Sequence, residues 1–84
     1  MGATAIRQEL LRAIDLALAG DWDGAHGIVQ RCDDAAAYWL HAVLHKIEGD
    51  EANSRYWYAR AGRSYEYCAD ATAELEAVKA ALTE

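Results

Sequence analysis

The chain is 84 residues long and carries 14 acidic against 8 basic side chains, a formal charge of −6. So short a chain closes around one core, and so acidic a surface repels a phosphate backbone; several domains and general nucleic-acid binding are both set aside. Two separate cysteines, Cys32 and Cys68, make no disulfide framework and point to reduced thiols in a cytoplasm.

Arg7, Glu9, Arg12 and Asp15 interrupt the opening stretch, which therefore reads neither as a signal peptide nor as a membrane span, and Ile6 stands where myristoylation of Gly2 needs Ser or Thr. Proline is absent and alanine abundant, which removes the main helix breaker and supplies the best helix former. The fold class is accordingly all-α, in a single domain over residues 1–84. A first helix is predicted from Ala5 to Ala19, with Thr4 as N-cap and Ile6, Leu10, Ile14, Ala17 and Leu18 as its apolar stripe. Gly20 ends it and Asp21 caps a second helix, Trp22 to Arg31, which Gly24 and Gly27 weaken in isolation. The pair Asp33-Asp34 offers a cap and favourable charge to a third helix, Ala35 to Glu48. Gly49 stops that helix and Asp50 caps a fourth, Glu51 to Gly62. The next stretch, "RSYEYCAD", shows neither a helical period nor a turn pair and reads as a loop. A fifth helix runs from Ala71 to Leu82 behind Asp70, with Ala71, Leu75, Val78 and Leu82 as its stripe.

Gly20-Asp21 and Gly49-Asp50 mark an internal echo with an offset of 29 residues. Counting from each glycine, Ala25, Val29 and Cys32 in the first copy correspond to Ser54, Tyr58 and Ala61 in the second. This pattern resembles the helical hairpins of tetratricopeptide and Sel1-like repeats, in which small residues let paired helices approach and a larger one fills the gap. The resemblance implies two stacked helical hairpins plus a C-terminal helix. The stretch "WLHAVLHKIEGDEANSRYWYARAG", residues 39–62, also resembles the central motif of a family of short, uncharacterised bacterial helical proteins. Lys46 departs from that motif where arginine is expected, and Ser54 where alanine is. The likeness supports the helical fold and transfers no catalytic residue.

Along the third helix, Ala36, Leu40, Val43, Leu44 and Ile47 gather into one face, while Tyr38, His41 and His45 form a neighbouring strip at spacings of three and four. A covered imidazole needs a partner for its ring nitrogen, which leaves three readings open: pairing with carboxylates or hydroxyls, a ligand pocket of Tyr38, His41 and His45, or a metal. Two histidines at i and i+4 can hold one ion, and His26 on the second helix is placed to add a third ligand for a divalent transition metal such as zinc or nickel. Glu48 and Asp50 stand near enough to complete such a site. Ala42 occupies the place where the zinc-protease motif has its glutamate. In "RYWYAR", Tyr58 faces the paired helix, so Tyr56 or Trp57 belongs at a surface; with Arg55, Arg60 and Arg63 they form a candidate surface for an acidic peptide, a phosphate or a second copy of the chain. No serine-histidine-aspartate order, phosphate loop or CxxC pair occurs. The sequence thus points first to a non-catalytic interaction module that forms a homodimer, without cofactor, and second to a small metal-binding protein with a possible hydrolytic role.

Overall fold

The computed structural model describes residues 3–84, with side chains from Ala5 onward. Gly2, where the sequence argues against myristoylation, lies outside the described residues. Five α-helices follow one another: α1 (Ala3–Leu18), α2 (Trp22–Val29), α3 (Ala35–Glu48), α4 (Glu51–Ala61) and α5 (Ala71–Leu82), with a single 3-10 turn, Tyr65–Tyr67, before the last. No strand occurs among the described residues, and none of the helices is long and apolar enough to cross a membrane.

Aspartates start four of these helices. The Asp21, Asp34, Asp50 and Asp70 carboxylates each accept from backbone N–H groups of the first turn, Gly24, Ala37, Asn53, and Thr72 with Ala73 respectively. Each thereby satisfies donors that no helical carbonyl can reach. The stops between hairpin arms are equally local: Gly20 and Gly49 have φ of 90° and 84°, a left-handed conformation that a side chain would strain.

Several ends differ from the sequence reading. Helix α1 begins at Ala3, so Thr4 lies inside the first turn and is not its cap. Helix α2 closes at Val29 and not at Arg31, because the Arg31 and Cys32 N–H groups turn back to Ile28 and Val29 in tighter three-residue bonds. The stretch read as a loop contains the 3-10 turn, with Ser64 accepting from the Glu66 N–H. Leu18 and Ile47 are exposed, since both stand in the last turn before an exposed Gly-Asp pair; Ala13, outside the predicted stripe, is buried.

Helix α1 packs on α2 and α3 on α4, α2 packs on α3, and α5 rests on both α1 and α3. Helix α3 thus touches every other helix, and its residues Trp39 to His45 are all buried. Ser54, with no exposed surface, donates from Oγ to the Ala42 carbonyl at 2.7 Å, so a small polar residue brings α4 close to α3. Ala25, Val29 and Tyr58 are buried, and Cys32 and Ala61 half-buried, on the faces that the internal echo marks.

Candidate metal centre

Helix α2 delivers His26 to the histidine strip of α3. The Nε2 atoms of His26 and His41 lie 3.2 Å apart. His45 completes a triangle in which one ring nitrogen from each residue lies within 4.8 Å of the others. His41 and His45 come together by helix geometry, one turn apart with ring centroids 4.9 Å from each other. His26 is brought by the docking of α2, which the Trp22 indole N–H secures by donating to the Leu44 carbonyl at 2.6 Å.

Aromatic rings hold the imidazoles in place. Trp22 stacks on His26 with centroids 4.7 Å apart, and Trp57 of α4 stacks on His41 at 4.0 Å with the planes only 11° apart. On its far side, the His45 Nδ1 meets the Glu48 carboxylate at 2.5 Å. Because a carboxylate accepts, this contact suits the His45 tautomer that donates from Nδ1 and keeps the Nε2 lone pair for a ligand, with Glu48 orienting the ring. Asp50, which caps α4 through the Asn53 N–H, also lies beside this pair, with a carboxylate oxygen within 4.8 Å of the His45 and Glu48 ligand atoms.

Burial sets the protonation of His41 and His26. It lowers the His41 pKa to about 4, with His26 and His45 adding repulsion. Burial also lowers His26, helped by His45 and opposed by Glu48 and Asp23. Both rings are therefore neutral near pH 7, so a metal on both Nε2 atoms needs only the one shared proton moved to a far ring nitrogen.

Four-coordinate zinc with bonds of ~2.0 to 2.1 Å places its ligand nitrogens roughly 3.3 Å apart. The His26–His41 pair already meets that spacing, and His45 offers a ligand atom within 4.8 Å of both. Without a metal, the same pair is a hydrogen bond in which one imidazole donates and the other accepts.

The other candidate residues divide. Tyr38 is near the cluster but is separated from it by Trp57, whose centroid is 5.6 Å away; its hydroxyl points to Asp33. Arg55 is held between Glu51 at 2.8 Å and Glu66 at 2.6 Å. Arg60 lies over the rings of Tyr38, Trp57 and exposed Tyr56, while Arg63 lies over Trp39. The predicted arginine surface is thus three separate environments.

Sequence reasoning missed the role of Trp22, for which the i, i+4 spacing to His26 was the available signal. It also missed Glu74, a fully buried carboxylate that accepts from Trp39 Nε1, the Tyr58 hydroxyl and Lys46 Nζ at 2.8 to 2.9 Å. The available signal was its place three after Ala71 and four before Val78, at the edge of the α5 stripe. No protein-family model, curated protein or solved structure matches this chain.

Proposed function

We propose that this chain is a small helical metal-binding domain, with His26, His41 and His45 as ligands to one divalent transition ion. The convergence of three imidazole nitrogens within 4.8 Å, drawn from two helices, carries the reading. Zinc and nickel suit neutral imidazole ligands. Glu48 beside the cluster is occupied in orienting His45, so the site is read as one that holds a metal rather than one that turns over a substrate. An ion there would tie α2 to α3, and hence one hairpin to the other.

Protein purified without an affinity tag is expected to bind one equivalent of zinc or nickel in calorimetry. Binding at 100 times Kd would raise stability by about 2.7 kcal/mol. His26→Ala and His45→Ala should each abolish that gain. Absence of both heat and thermal shift in the wild type would end the proposal.

A second reading, an interaction module that self-associates in the cytoplasm on a tetratricopeptide-like stack, is favoured by Tyr56, which is 54% exposed beside Arg60. Light scattering coupled to size exclusion distinguishes it: a dimer that Tyr56→Asp converts to monomer supports this reading, and a monomer at high concentration rejects it.

A further inference from the structure

Trp39 and His41 are two positions apart, roughly 200° around α3, so a second site on the Trp39 side opens away from the histidines. There, between the start of α3, the end of α4 and the end of α5, lies a cavity of about 270 Å³. Its walls are apolar: Ala36, Trp39, Ala61, Val78 and Leu82 contribute, and Val78 and Trp39 are buried beneath it. One cation, Arg63, stands among them.

The Arg63 guanidinium carbon lies 3.5 Å from the centre of the Trp39 ring. Arg63 makes no ion pair and no side-chain hydrogen bond among the described residues, in a chain with 14 carboxylate side chains; Arg55, by contrast, has two acidic partners. A guanidinium resting on an aromatic face keeps its N–H edge directed outward, the geometry that takes a carboxylate by two parallel hydrogen bonds. The indole beneath adds cation–π attraction and fixes the group, which lowers the entropy lost when an anion docks.

We propose that this cavity binds a small amphipathic carboxylate, with the apolar body between α3, α4 and α5 and the carboxylate on Arg63. Size narrows the class. The cavity corresponds to about nine waters at ~30 Å³ each, below the ~300 to 1,000 Å³ of drug-sized pockets. A short alkyl or aryl acid fits it and a long-chain lipid does not. Charge complementarity selects the anion, since an uncharged body of equal length leaves Arg63 without a partner.

The test uses the whole chain and octanoate, with octanol and octylamine as matched bodies of different charge, followed by amide and methyl NMR. Octanoate is expected to give saturable shifts at Ala36, Ala61, Val78, Leu82 and the Trp39 indole, with octanol at least about tenfold weaker, the value of one charge-assisted pair. Arg63→Glu should lose that preference, with octanoate binding no tighter than octanol. Ala36→Leu, which fills the cavity, should weaken both. Equal binding of octanoate and octanol, shifts confined to other surfaces, or no saturation would overturn the proposal. So would a response to an acidic peptide alone, which would reassign the cavity to a protein partner.

Discussion

Glu74 has no exposed surface, and its charge is balanced inside the protein by Lys46, whose Nζ also donates to the Tyr65 and Cys68 carbonyls. All three ammonium protons are thereby used, and the pair joins α3, α4, the 3-10 turn and α5. The Tyr58 hydroxyl, buried against the same carboxylate, has its pKa raised far above the usual phenol range, first by burial and then by the hydrogen bond to Glu74. Removing one member strands the other: Lys46→Met or Glu74→Leu should each cost about 3 to 5 kcal/mol in urea unfolding. A chain of this length is expected to have about 4 to 12 kcal/mol in all, so either variant is near the edge of folding. The double variant should recover part of the loss, because the unpaired charge is gone while the Trp39 indole and Tyr58 hydroxyl still lack an acceptor. Additive losses would contradict that account.

His41 gives a second prediction at the same scale. Its pKa is about 4 when folded against 6.5 in the open chain, so the unfolded state binds more protons between those values. Stability of the metal-free protein should therefore be full above pH 6.5 and fall as the pH drops toward 4, by about 3 kcal/mol at ~1.36 kcal/mol per pKa step. His26 acts in the same direction. Urea midpoints from pH 7 to 4 check this against His41→Leu, whose curve should be flatter over that window. Equal slopes would mean the imidazole is solvated in the folded state.

Helix α2 is the weakest of the five elements, eight residues with glycine at positions 24 and 27. A Cβ at Gly27 meets nothing within 4 Å, whereas one at Gly24 falls 2.5 Å from Asp21 Oδ2. Gly27→Ala should stabilise by about 0.5 to 1 kcal/mol through helix propensity. Gly24→Ala should gain nothing or lose stability, because the Asp21 cap must move aside; a cap of this kind is worth roughly 0.5 to 2 kcal/mol. Thermal melts of the two variants test the contrast. The α2 limits given by the sequence were too long at the C-terminal end because apolar periodicity continued through Cys32, while the tight turns leading to the Asp33-Asp34 cap set the true end. The starts and stops made of aspartate and glycine were legible, since capping is chemistry within three or four residues.

Across the whole molecule, the tri-histidine contact couples the hairpins. Hydrogen exchange should show α2 amides opening faster than those of α3 in metal-free protein, with added zinc slowing α2. Unchanged α2 exchange in protein saturated with zinc would place the ion elsewhere. The absence of proline, the aspartate caps, the repeated Gly-Asp turns and the spacing of His41 and His45 determined an all-α chain with a pair of imidazoles on its central helix. All of these act within a helical turn or two, so the sequence carries them directly. Tertiary structure decided that His26 meets those imidazoles, that Trp57 covers one of them, and that Lys46 and Glu74 pair inside. Each of these depends on how helices far apart in the chain dock, which the total burial of apolar surface selects and no local spacing encodes.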